Sequence, residues 1–326
     1  MPQNEEECHE RIQNMCDTFH SSEFGATLQQ QLLESDRKGP VPAFRERASI
    51  FLQVRTLLWR SSLDNLRNFS LIIGKTSQKI AMGLFLGLLY LQTMNWNEDL
   101  VGVSNLNGAL FFLVCEFTYG TLFGVLSFLP SDFPLLVREH HDGLYDVSSY
   151  YIARTLSYFP LFSIDGVVML TICYWMIGMA ATTQHFLLTA FIGLLTEQSA
   201  AAFGVMLSTI SSSYSIAVSI TGPVLTVFSL TGGLYANIGQ LPSFISWMQY
   251  LSWFRYSFEA MVINQWSDVA TGECILLDCQ KSESILTAYS FSISSFWPDI
   301  GALFASIVVF YVIGYIGLFI RVKLAR

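Results

Sequence analysis

The sequence predicts an all-α membrane protein. It has six transmembrane helices, an amphipathic helix before them, and an outer re-entrant subdomain. Three observations lead there. Of 326 residues, 52% are hydrophobic and 13% charged, and mean hydropathy is +0.45, whereas a soluble domain carries roughly 25% charged residues. Apolar runs recur at the length of about 20 residues that a helix needs to cross a bilayer. The runs are continuous and lack the alternation of barrel strands.

The six spans fall at about 72–91, 106–129, 149–178, 186–210, 214–235 and 298–320. The third is long enough to tilt or to include an interfacial turn. Nine Lys and Arg residues between Arg37 and Lys79 precede or open the first span, Arg138 and Arg154 flank the turn between the second and third, and Arg321, Lys323 and Arg326 end the chain. The connections 92–105 and 179–185 carry neither Lys nor Arg. The positive-inside rule therefore expects both termini and the Arg138 turn in the cytoplasm. The protein is then integral and multi-pass, in a plasma or an intracellular membrane.

Residues 1–42 are polar, acidic and without periodicity, and read as a cytoplasmic linker. Their acidic start lacks the positive region and apolar core of a cleavable signal. Over 43–69, Phe44, Ile50, Phe51, Val54, Leu57 and Leu58 recur at helical spacing among five arginines. This is the pattern of an amphipathic helix on a membrane face. Residues 70–326 form the transmembrane domain. Within it, 236–297 is too long for a structureless loop. Its aromatic stretch ISWMQYLSWFRYSFEAMVINQW reads as one or two short helices dipping into the outer leaflet, where Trp and Tyr favour the interface.

Composition and motifs exclude several chemistries. A net charge of −8 offers no basic surface for nucleic acid. Gly74-Lys75-Thr76 mimics the end of a phosphate loop, but Phe69 stands where the first glycine is required. His140-His141-Asp142 has no second ligand cluster near it in sequence and reads as a solvated turn, so no metal and no catalytic residue is expected. Glu116, Asp165 and Glu197 fall near mid-span, where an acid usually faces a bundle interior or a water-filled cavity. Glu116 shares a helical face with Phe112, Tyr119 and Phe123, an acid among aromatics suited to a flat or amphipathic ligand. Gly83-x-x-x-Gly87 and Gly120-x-x-x-Gly124 permit close helix contact. Thr221-Gly222-Pro223 loosens the fifth span, and Thr231-Gly232-Gly233 ends it. Cys274 and Cys279 lie on the expected oxidising side, where they either pair with each other or remain free or bridge to another chain.

These segments together resemble one family. NLNGALFF, VREHHDGLYDVSSYYIARTLSYFP, TGPVLTVFSLTGGLYAN and LPSFISWMQYLSWFRYSFEAMVINQWSDV are similar to the membrane half of the G-subfamily, or White-group, ABC half-transporters, whose membrane domain is of the ABC-2 type. The resemblance runs from about Phe44 to the end. CQKSESIL is closer to the sterol and lipid exporters of that subfamily. It implies a transmembrane permease half of an ATP-driven transporter, moving sterols, lipids or small amphipathic or aromatic compounds. It places the substrate cavity on a dimer axis, with Phe112, Glu116, Tyr119 and Phe123 from the second span and Thr226 and Ser229 from the fifth. Leu234 and Tyr235 would form an outer gate, with Tyr235 replacing a leucine of some relatives. Arg138, Glu139 and His140 would form the coupling turn, 43–69 the connecting helix, and Cys274–Cys279 the loop disulfide. The implied partners are membrane lipid, a second half-transporter in a homo- or heterodimer, and a nucleotide-binding domain in cis or trans. This sequence contains no phosphate loop or signature motif. ATP and Mg are thus implied only for that domain, and the chain itself needs no cofactor and is not an enzyme. It reads as a fragment, a truncated product, or a subunit served by a separate ATPase. The other reading is a truncated, non-transporting partner that dimerises with full-length half-transporters and modulates them.

Overall fold

The computed structural model describes residues 2–36, 48–93, 100–236, 242–267 and 279–325. Every regular element among them is helical. The chain divides into two compact units, 1–47 and 48–326.

The first unit is a helical pair, α1 (Pro2–Ser21) and α2 (Glu23–Asp36). This corrects the expectation of an irregular linker. The stretch has no membrane-length apolar run, but it does hold local helix signals. The Ser22 hydroxyl accepts from the Gly25 amide at 3.0 Å, an N-terminal cap for α2. Gly25 is required there, because a side chain would collide with the Phe19 carbonyl.

The second unit opens with α3 (Ile50–Arg67) and α4 (Phe69–Leu89), separated at Asn68. Then come α5 (Leu100–Leu126), α6 (Phe128–His141), α7 (Val147–Ile177), α8 (Thr183–Ile210) and α9 (Tyr214–Leu230). A 3₁₀ turn (Ser246–Tyr250), α10 (Trp253–Trp266), α11 (Cys279–Ala288), a second 3₁₀ turn (Ile293–Ser295) and α12 (Phe296–Leu324) complete it. Helices occupy all six stretches expected to span. Four are long and apolar enough to cross a membrane, within 101–126, 147–177, 183–210 and 293–324. α9 is apolar but has 17 residues, and α4 carries two lysines.

α8 is the centre of the bundle. It packs along α5 and α12 and also meets α7, α9 and α10. Its Ser199-Ala200-Ala201-Ala202 run is buried, and small side chains allow this approach in an apolar medium, where packing rather than hydrophobicity holds helices together. At Gly204 an added methyl would sit 3.2 Å from the Leu122 carbonyl of α5. Gly83 and Gly87 serve the predicted purpose, bringing α4 against Met169 and Met176 of α7. α7 ends at Gly178, whose φ of +80° only glycine adopts without cost.

Three expectations need correction. The second span ends at Leu126 and α6 follows as a separate helix, so Arg138, Glu139 and His140 lie in a last helical turn rather than in a loop. The reversal itself is Asp142–Asp146, with Gly143 at φ +73°. α10 owes its aromatic content to burial: Trp253 and Trp266 have no exposed surface. Their indole N–H groups donate to Thr118 Oγ1 (3.1 Å) and Asn107 Oδ1 (2.8 Å) of α5. Phe244, Trp247, Tyr250 and Trp297 do lie open in this region. Finally, α9 runs unbroken through Pro223 rather than loosening there; it ends at Leu230 with Thr231 as its C-cap, at the expected Thr231-Gly232-Gly233 stop.

Candidate functional site

Three arrangements could carry function. The first is the open face of α5 and α9. Phe112 and Phe123 are exposed, and Glu116 and Tyr119 are half-buried between them. The Tyr119 and Phe123 rings stack at 6.5 Å, and Tyr119 also meets Phe254 of α10 edge-on at 6.3 Å. The Ser229 side chain lies near the Tyr119 hydroxyl and α9 packs against α5, so the structure brings the α5 and α9 candidates together. Thr226 is exposed, with its hydroxyl donating to the Gly222 carbonyl at 3.0 Å. Ser229 is nearly buried and donates to the Thr226 carbonyl at 2.9 Å. Beyond α9, Leu234 packs on the core. Tyr235 is 67% exposed and meets Phe111 edge-on at 5.4 Å.

Glu116 is not a bare carboxylate on this face. Lys79 of α4 approaches it at 3.6 Å and donates to its backbone carbonyl at 2.7 Å. That lysine belongs to the second arrangement, a charged cluster inside the bundle. Thr76 donates to Asp165 Oδ1 at 2.7 Å, and the Lys75 ammonium sits 4.2 Å from the centre of the Phe162 ring. Glu197 of α8 is 1% exposed. Sequence reasoning placed Asp165 and Glu197 at this depth but missed both lysines, reading them as the entry to the first span. The signal was their spacing of four, which puts them on one helical face. Gly120 and Gly124 also turn out differently. They make room for the Lys79 and Lys75 ammonium groups, which would lie 2.7 and 2.8 Å from added methyl carbons.

The third arrangement joins α3 to α6 and α7. Arg60 donates to both Glu139 oxygens at 3.0 Å, and Tyr145 donates to Glu139 Oε2 at 2.6 Å. Burial raises the Glu139 carboxyl, but the bonds from Tyr145 and Arg60 outweigh it and leave it below the usual range. The hydrogen bond from Glu139 raises Arg60 in turn, against partial burial. His140 Nδ1–H donates to the Tyr145 carbonyl at 3.0 Å and fastens the reversal. Arg138 is exposed. Deeper in, buried Arg154 pairs with Asp132 at 2.6 Å and reaches Asp64 of α3 at 3.8 Å. Tyr150 donates to Asp132 at 3.1 Å, and a cleft of about 290 Å³ lies among these groups.

Of the cysteines, Cys8, Cys16, Cys115 and Cys173 are free thiols. Cys274 lies outside the described residues, and with it the expected bridge to Cys279.

Comparison with known proteins agrees with this architecture. The chain is 42% identical over 288 residues to the ABC transporter ATP-binding protein/permease wht-3 of Caenorhabditis elegans, covering 88% of this chain and 46% of that protein. It is 33% identical over 335 residues to protein white of Drosophila melanogaster, covering 99% and 48% respectively. Against protein scarlet of the same fly it is 33% identical over 273 residues, covering 82% and 41%. The chain thus spans about half the length of the curated relatives it matches. The family model of the ABC-2 type transporter matches residues 52–266, which takes in α3 through α10, and the chain belongs to the ABC-2 type transporter family.

Proposed function

We propose that this chain is the permease half of an ATP-driven transporter for sterols, lipids or small amphipathic or aromatic compounds. One observation carries the reading. α5 presents Phe112, Glu116, Tyr119 and Phe123 as a single open stripe, and Ser229 of α9 reaches that stripe at Tyr119. An aromatic face that wide left open on one chain suits a cavity closed by a second copy. A stacked ring contributes about 0.5–1.5 kcal/mol beyond area burial for a flat ligand. In this reading α4, α5, α7, α8, α9 and α12 all span, with both termini cytoplasmic. α10 and α11 then lie towards the outer side, and Leu234 and Tyr235 close the cavity there.

The energy source would be a nucleotide-binding domain in cis or trans. The relatives named ATP-binding protein/permease support this. Arg138, exposed on the last turn of α6, and Glu139 beside it are placed to receive its movement. α3 is tied to that turn through Arg60 and would carry the movement as the connecting helix.

Cysteines placed at 112 and 226 in a background without native cysteines test the reading. Both should react with a water-soluble thiol reagent in membranes, and an aromatic or sterol ligand should protect both. Reaction of both positions with lipid-soluble reagents alone would place this face in the bilayer and defeat the proposal.

A further inference from the structure

The interior cluster holds one more acid than base. Lys75 and Lys79 of α4 face Glu116 of α5, Asp165 of α7 and Glu197 of α8. Glu116 has Lys79, and Asp165 has Thr76 and the nearby charge of Lys75. Glu197 is left over. Both its oxygens are buried and have no hydrogen-bond partner among the described residues. Its carboxyl is wedged against Gly166, and it lines a void of about 20 Å³ shared with Lys75, Lys79, Thr121 and Asp165. A volume of that size admits about one water molecule. The Thr121 hydroxyl is also buried there without a hydrogen-bond partner among the described residues. An uncompensated carboxylate at such depth is costly and marks a functional position.

We propose that Glu197 is a proton-binding site of the membrane interior, and that its occupancy decides whether Lys79 is held by Glu116 or drawn to Glu197. One proton taken from water forms a single O–H bond on Glu197 and brings the five charged groups to neutrality. A metal cation fits the same charge count poorly, because two ammonium groups line a void with room for one small molecule. The remaining helices packed on α8, namely α6, α9, α10 and α12, contribute no residue to the lining. The groups facing Glu197 are therefore those of α4, α5 and α7 alone.

Lys79 is the movable part. It lines the void beside Glu197 while bonded to Glu116. Its Cε and Nζ lie over Gly120, where an added methyl would force them to shift. Loss of the proton makes Glu197 the stronger attractor. Lys79 then leaves Glu116, whose carboxylate stands bare on the aromatic face of α5. Proton occupancy inside the bundle thereby sets the charge of that face. The inference rests on the cluster itself and holds whatever the substrate.

Infrared difference spectroscopy on the full chain in lipid nanodiscs tests it directly. A neutral-carboxyl carbonyl band should be present, shift in D₂O, and disappear as pH rises. Glu197→Gln should abolish the band, and Glu116→Gln, which frees Lys79 for Glu197, should make it disappear at lower pH. If Glu197→Gln fails to fold, Glu197→Asp should move the band without removing it. A band that survives Glu197→Gln, or whose pH dependence is unchanged in Glu116→Gln, would overturn the proposal. So would absence of any pH-dependent band in the unmodified chain. Disappearance of the band when sodium replaces choline at fixed pH would make the site a metal site instead.

Discussion

Two charge-bearing regions of this chain are built on opposite terms. At the α3–α6–α7 junction the buried or half-buried carboxylates have full partners: Glu139 takes Arg60 and Tyr145, and Asp132 takes Arg154 and Tyr150. In the interior cluster, Glu116 is held at 3.6 Å, Asp165 by a threonine, and Glu197 by no hydrogen bond among the described residues. A satisfied network fixes one geometry, because any departure leaves a buried group unpaired. A cluster with an orphan has more than one arrangement of similar cost. The first region suits a rigid transmitter, and the second suits a switch.

The contrast breaks most severely at Lys79. Lys79→Met leaves Glu116 without its cation, and removing one partner of a buried pair costs about 3–5 kcal/mol. The thermal midpoint of the purified chain should fall further in Lys79→Met than in Asp132→Ala, Gly83→Ala or Gly120→Ala. Adding Glu116→Gln, which removes the carboxylate that Lys79 was paired with, should recover a large part of the loss. Failure of the double variant to recover would mean that Lys79 acts only by packing.

Asp132→Ala is the matching cut at the junction. It strands the Arg154 guanidinium, 8% exposed in its side chain, and the Tyr150 hydroxyl. Leaving buried donors unsatisfied costs about 1–3 kcal/mol, moderated in this case because Asp64 still reaches Arg154. Double-mutant cycles with Arg154→Met should give strong coupling for Asp132 and weak coupling for Asp64, which is 75% exposed. Equal coupling would contradict the geometry.

A smaller effect separates the two glycine pairs. Gly83→Ala places a methyl 3.1 Å from the Met169 carbonyl, which cannot easily move, whereas Gly120→Ala meets the mobile end of Lys79. Both variants should be destabilised, within the roughly 1–3 kcal/mol typical of overpacking. Only Gly120→Ala should also shift the pH at which the neutral-carboxyl band disappears, because only it constrains Lys79. An unchanged titration would show that Lys79 does not move past that position.

These particulars show what could be read from the residues. The helices were legible, since an apolar run of bilayer length admits little else. The acids were legible as expensive. Their partners were not, because the packing of α4 on α7 and the reach of Lys79 to α5 are tertiary facts: Lys75 and Lys79 look like positive flanks until the bundle closes around them. α10 was partly legible for a related reason. Aromatic richness marks a membrane interface and a packed core alike, and residue types do not tell that Trp253 and Trp266 bond to α5 while Trp247 and Tyr250 stay open. In the stripe at 112, 116, 119 and 123, local spacing found the shared face but could not reveal Lys79 behind Glu116.

The smallest expected effect lies at the rim of the junction. Arg60 is half-exposed and Glu139 mostly covered, and an ion pair of this kind contributes about 0–1 kcal/mol. Its pH dependence has a definite sign. The folded state holds the Glu139 carboxyl below its ordinary value. The contribution is therefore complete above the unfolded carboxyl's range and disappears as pH falls through the folded value. Arg60, held above its ordinary value, remains charged throughout that window and adds no slope there. Amide exchange over 50–67 should therefore quicken as pH falls through the acid range, after correction for intrinsic rates, and Glu139→Gln should flatten that response. An unchanged acid response in Glu139→Gln would mean that α3 is held against α7 by Arg154 and packing alone. Arg60 would then carry none of the movement assigned to it between α6 and α3.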